Sequence, residues 1–149
     1  MTKKKFNLDK VLNFRKQAED ALQFEFSAVK SRFDREKFLL ETNKDKFRKS
    51  REKMLETQGT FPDISELILH YRYLDKLAFE IKVQEEKVKE IEGSLEITRE
   101  KLHKAMKDTK VITKIKEKVE KDIRRDLNLQ EQKYLDELAI NKFKNSVHG

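Results

Sequence analysis

The chain of 149 residues contains no cysteine and no tryptophan, a single proline and three glycines. Without cysteine, disulfide staples, thiolate metal sites and Cys nucleophiles are excluded together. With Pro and Gly so scarce, almost nothing interrupts a helix. No apolar run approaches the ~18 residues needed to span a bilayer. No signal-peptide core follows the basic start Met1-Thr2-Lys3-Lys4-Lys5, so the expected address is cytoplasmic.

Catalytic signatures are missing as well. There is no Gly-rich phosphate loop, no G-x-S-x-G elbow and no H-E-x-x-H motif. His70, His103 and His148 are far apart, and none has a His or Cys neighbour at ligand spacing. The carboxylate pairs Glu85-Glu86 and Asp136-Glu137 read as solvated charge rather than an acid/base pair. The expectation is a protein that is not an enzyme, with no metal site and no cofactor.

What the chain has in abundance is charge and a seven-residue apolar repeat. Residues are 36% hydrophobic and 42% charged, too polar for a thick core and suited to burying a narrow seam. Leu67, Leu74, Ile81, Val88, Leu95 and Leu102 fall on every seventh position. That spacing keeps one stripe of an α-helix facing a partner, the mark of a coiled coil. A second string, Leu12, Phe26, Phe33, Leu40, Phe47 and Met54, lies upstream, interrupted at Glu19 and flanked by Leu8, Leu22 and Val29. The chain can therefore supply its own partner strand.

Between the two strings, Gln58-Gly59-Thr60-Phe61-Pro62-Asp63 holds the only proline, and Asp63 followed by Glu66 resembles a capping box. The expected fold is all-α: a long two-helix antiparallel coiled-coil hairpin with unequal arms, one domain over 1–149. Helix one is expected over about 8–57, starting after Asn7 or Leu8 with Asn7 and Asp9 as candidate caps, with a turn at 58–63 and helix two over about 64–143. A turn centred near residue 60 would oppose position i to about 120 minus i, setting Leu12 near Asp108 and Leu40 near Glu80. Phe33, Leu40 and Phe47 would then face the Leu74–Val88 region. Beyond about Thr113 helix two would lack a partner while still carrying Ile112, Val119, Ile123, Leu127, Tyr134 and Leu138, with a stutter between Val119 and Ile123. An unpaired apolar stripe needs another surface. Gly93, alone inside helix two, reads as a tolerated exposed glycine.

The net charge of +7 raises a nucleic-acid reading. Residues 1–60 carry 16 Lys+Arg against 10 Asp+Glu, residues 61–110 carry 10 against 11, and residues 111–149 carry 9 against 7. Signs are interspersed, as on a solvated coiled-coil face, and no specific nucleic acid is expected as a partner. Ten Phe is many for two helices. Phe26, Phe33 and Phe47 sit on the seam, while Phe14, Phe24, Phe38 and Phe79 fall off it. Around the regular Leu67 and Leu74, the residues Ile68, Leu69, Tyr71, Tyr73 and Leu77 point apolar groups in several directions. That stretch is a candidate binding patch.

Two blocks at the chain ends resemble a known family. Phe6-x-Leu8-x-x-Val11-Leu12-x-x-Arg15 looks like the opening of the FliJ family, the soluble coiled-coil component of the bacterial flagellar type III export apparatus. Glu131-Gln132-Lys133-Tyr134-Leu135-Asp136-Glu137-Leu138-Ala139 looks like its C-terminal block, and the length and unequal arms agree. No motif aligns in the middle. The resemblance implies a non-enzymatic stalk, similar to the central shaft of rotary ATPases, that binds the hexameric export ATPase and the cytoplasmic domain of the membrane export gate. Export chaperones are further candidate partners. On this resemblance Ile123, Leu127, Tyr134 and Leu138 would supply apolar contact to the ATPase, and Arg124, Arg125, Glu131, Gln132 and Asp136 would fix its register. Tyr71, Tyr73 and Leu77 would face the gate. The free protein would be a monomeric hairpin without membrane insertion, placed at the cytoplasmic face of the inner membrane at the flagellar base. Two other readings stand beside this one: a basic coiled-coil arm for nucleic acid, whose affinity would fall steeply with salt, and a self-associating coiled-coil scaffold.

Overall fold

A computed structural model describes residues 2–57 and 63–148, with side chains over 7–57 and 63–147. Two long helices, α1 (Thr2–Glu56) and α2 (Ile64–His148), pack against each other in antiparallel sense, and no strand occurs among the described residues. Of the expected turn at 58–63, residues 58–62 lie outside the described residues. Its flanks carry the local signals that end one helix and start the next. Thr57 closes α1 by giving its backbone N–H and its hydroxyl to the Lys53 carbonyl at 3.1 and 2.8 Å. Asp63 caps α2: its Oδ1 accepts from the Ser65 N–H at 3.4 Å, and its carbonyl accepts the Leu67 N–H at 3.5 Å.

Two helix limits differ from those expected. Helix α1 begins at Thr2, ahead of Asn7 and Asp9, and α2 runs on past Phe143 to His148. No residue between Thr2 and Asn7 breaks a helix, and extending one adds a hydrogen bond per residue without a new nucleation cost. Asp9 is thus not a cap but a mid-helix residue.

By its contacts the chain divides into two compact units, each built from a piece of both helices: Ala21–His103, and Met1–Asp20 together with Lys104–Gly149. In the first, buried or half-buried positions on α2 alternate in steps of three and four through Leu67, His70, Leu74, Leu77, Ile81, Gln84, Val88, Ile91, Leu95, Thr98 and Leu102. On α1 the same alternation runs through Leu22, Phe26, Val29, Phe33, Glu36, Leu40, Asn43, Phe47, Ser50 and Met54. Only Leu40 of the α1 set is fully buried; the phenylalanines are half-covered. A two-helix seam cannot close over a ring, so each Phe gains less than the roughly 1.5–3 kcal/mol of full burial.

Polar residues in this seam and on its flanks meet one another. Asn43 donates to the Gln84 amide oxygen at 2.8 Å, Lys44 pairs with Glu85 at 3.3 Å and Glu36 with Lys87 at 3.1 Å. His70 Nε2 lies 3.2 Å from the Ser50 carbonyl, which can only accept, so this ring nitrogen carries the proton. The Lys87 ammonium and, to a lesser degree, Gln84 hydrogen-bond the Glu36 carboxylate and hold its pKa below the ordinary value, against partial burial that works the other way. A slip of one heptad would separate all of these pairs, which is how polar seam residues fix register. The Leu74–Val88 stretch thus faces the α1 segment around Leu40, as expected. The opposition is offset, however, because Asn43 meets Gln84 and not residue 77.

In the second unit Leu12 and Thr109 are buried, and Leu8, Ala105, Ile112, Val119 and Ile123 are half-buried. Lys116 pairs with Asp9 at 2.7 Å and Arg15 with Asp108 at 3.6 Å. The Asp9 carboxylate raises the pKa of Lys116, opposed by partial burial. Pairing therefore extends to Ile123 and not only to Thr113, since α1 starts earlier and the opposition is shifted. The expected stutter is absent too. Thr109, Lys116 and Ile123 continue the seven-residue row of Leu102, and Ala105, Ile112 and Val119 fill the alternate row, so the four-residue step from Val119 to Ile123 is an ordinary seam step.

Candidate functional site

From Asp126 to Glu137 the seam rows turn polar: Asp126, Gln130, Lys133 and Glu137 occupy the places that Leu, Ile and Val held upstream, and only Ile140 and Val147 return to them. None of those four polar residues can insert into a facing helix. Every side chain from Arg124 to Val147 is exposed, yet α2 continues unbroken and carries Leu127, Leu129, Tyr134, Leu135, Leu138, Ile140, Phe143 and Val147. This overhang leaves eight large apolar side chains uncovered.

Its apolar residues form two stripes. At 3.6 residues per turn, Leu127, Tyr134 and Leu138 share one face with Ile123, whereas Leu129, Ile140, Phe143 and Val147 sit roughly half a turn away. The second stripe was missed in the sequence, although its steps of eleven, three and four are as helical as those of the first. The nine candidate ATPase contacts are consequently not on one face. Arg124 and Glu131 flank Ile123, Leu127, Tyr134 and Leu138, while Arg125, Gln132 and Asp136 lie toward the second stripe. A shallow open depression runs between the stripes, with Ile123, Leu127, Leu129, Gln132 and Asp136 on its walls. Ile123 is half-buried and serves also as the last rung of the seam. Such a surface can dock another protein. Its openness gives no enclosed space in which to desolvate a reacting group.

The second candidate patch, on α2 after Asp63, needs a correction. Tyr71 and Tyr73 are about half exposed, at 52% and 47%, but Leu77 is only 5% exposed. Leu77 stands on the alternate seam row between Leu74 and Ile81, so it belongs to the core and not to the exposed patch. The side chains that do face outward are Ile68, Leu69, Phe79 and Val83, with Phe79 at 69% exposure. Counting the three-and-four steps from Leu67 would have separated these two sets, because Leu77 lies on the rows and Phe79 off them.

Among the described residues no group of three or more His, Cys, Asp or Glu side chains is placed to hold a metal ion. No helix is long and apolar enough to cross a membrane. The family model described as "Flagellar FliJ protein" matches residues 4–148. Neither the curated proteins nor the solved structures give a match.

Proposed function

The chain belongs to the FliJ family, which makes it a component of the flagellar export apparatus, and from that premise we propose that it is a stalk whose overhang docks on the hexameric export ATPase. In this reading residues 1–149 act as one non-enzymatic coiled-coil domain, held through its protein partners at the cytoplasmic face of the inner membrane. It promotes assembly of the ATPase ring, and the exposed Tyr71, Tyr73 and Phe79, spread around α2, meet the cytoplasmic domain of the export gate. The observation that carries the reading is the continuous helix from Arg124 to Val147, with every side chain exposed and large apolar groups on two faces. An apolar helix face in water is a standing cost unless a partner covers it. Two opposite stripes suit insertion between two walls better than docking on one flat surface. Ile123, Leu127, Tyr134 and Leu138 contribute the apolar contact. The charged and amide groups Arg124, Arg125, Glu131, Gln132 and Asp136 set orientation, which charge complementarity governs more than raw affinity.

The test is capture of the purified export ATPase on the immobilised full-length chain, beside the double variant Arg124→Glu with Arg125→Glu. The variant should lose at least about tenfold in affinity while keeping its helicity, since both arginines are exposed and outside the seam. Equal capture by both proteins would remove the arginines from the contact.

A further inference from the structure

Upstream of the overhang, the outer face of α2 carries charge of one sign. Between Lys104 and Arg125, the heptad row directly opposite the seam holds Lys107, Lys114 and Lys121. The two rows beside it hold Lys110 and Arg124 on one side and Lys104, Lys118 and Arg125 on the other. All eight are exposed, and none is ion-paired among the described residues. Glu117 is the single acid on these three rows. The other acids of the stretch, Asp108, Glu120 and Asp122, sit on the rows that flank the seam, where Asp108 meets Arg15. The sequence reads as interspersed charge along the chain, but the helix sorts the two signs onto different faces.

We propose that this face is a docking surface for an anionic bilayer, held by lipid headgroup phosphates without insertion. The stripe is about 32 Å long, from 21 residues at 1.5 Å each. Its three rows cover roughly 100° of the helix. Long Lys and Arg stems on the two outer rows can bend toward a plane on which the central row already rests, so all eight heads reach one flat surface together. Mobile lipid headgroups can move to meet fixed charges. The stripe has no aromatic residue on which a base could stack, which single-strand binders use. A duplex holds its phosphates at fixed positions that the three rows would have to match. A protein interface would want apolar or aromatic anchors, and Val111 is the only apolar side chain among these positions. The inference does not depend on the ATPase reading, because the central lysines lie outside the overhang.

Each Lys or Arg near an anionic surface adds about fivefold in affinity. The full-length chain should therefore sediment with phosphatidylcholine vesicles containing about a third phosphatidylglycerol at 0.1 M salt, and not with phosphatidylcholine alone. At 0.5 M salt binding should vanish, since screening shortens the reach of the charges. Lys110→Gln, Lys114→Gln and Lys118→Gln together should weaken binding about a hundredfold with unchanged helicity. The charge-matched variant Lys76→Gln, Lys82→Gln and Lys89→Gln, on the other unit, should weaken it less than about threefold. No sedimentation with anionic vesicles at 0.1 M salt would overturn the proposal. So would equal loss in the two variants, which would reduce the effect to net charge. Displacement from vesicles by an equal phosphate concentration of a 40-base-pair duplex or a 40-nucleotide single strand would also overturn it, in favour of nucleic acid.

Discussion

Leu74 and Leu127 are the same residue on the same helix, yet one is 8% exposed and the other 59%. Around Leu74 the apolar rows recur in steps of three and four, and α1 supplies a matching set, so burial follows from pairing. Around Leu127 the rows hold Asp126, Gln130 and Lys133, and the neighbouring Leu127, Leu129 and Tyr134 fall off them. The helix is equally regular in both places. Regular backbone alone thus says little about what a segment is for; the placement of apolar groups relative to the seam divides the part that holds the fold from the part free to meet a partner.

The comparison can be broken first at its sharpest contrast. Leu77→Ala should lower stability by about 2–4 kcal/mol in thermal or urea melts, as a buried Leu in a partly relaxing seam does. Leu127→Ala should stay within about 0.5 kcal/mol of the parent, as an exposed substitution does. Similar losses in both would dissolve the distinction. Phe33→Ala should fall between them, at about 1–2 kcal/mol, because its ring is only half-covered. A loss near that of Leu77 would mean that the ring is enclosed in solution.

Two smaller effects sharpen the picture of the paired region. A methyl group added at Gly93 meets nothing within 4 Å, so Gly93→Ala should stabilise by about 0.5–1 kcal/mol through helix propensity alone. A destabilised variant would point to a role for that glycine beyond the helix. Glu36 has a folded pKa lowered chiefly by Lys87, so its contribution is present above the unfolded carboxylate pKa and is lost as pH falls through the folded one. Between about pH 6 and about pH 3, Glu36→Gln should show a slightly shallower fall in melting temperature than the parent. Identical slopes would mean that the pair with Lys87 is too well hydrated to matter.

The fold was legible because its signal is redundant: six apolar residues at exact sevenfold spacing, a second matching string, and the sole proline between them. The exact opposition was not legible. It rests on polar seam residues such as Asn43 and Gln84, which read as surface in a linear sequence and declare their place only when they meet. Thr109 and Lys116 hid the continuing row in the same way, so a stutter was expected between Val119 and Ile123. The end of pairing at Thr113 followed instead from expecting a first helix that starts near residue 8 and opposes position i to about 120 minus i. Leu77 was misread because an apolar cluster around a seam looks like a patch until each member is placed on or off the rows. The overhang's first stripe was visible because its steps resemble those of the seam. Its second, through Leu129 and Phe143, was overlooked because only one face was sought.

The central claim is that folding belongs to the paired seam and partner binding to the overhang. The most direct test is a chain cut after Ile123, which keeps the last rung of the seam, compared with the full-length protein in binding to the purified export ATPase and in thermal melting. The account predicts a cooperative transition within a few degrees of the parent and loss of measurable binding to the ATPase. Retained binding at the parental affinity by the folded, shortened chain would contradict it.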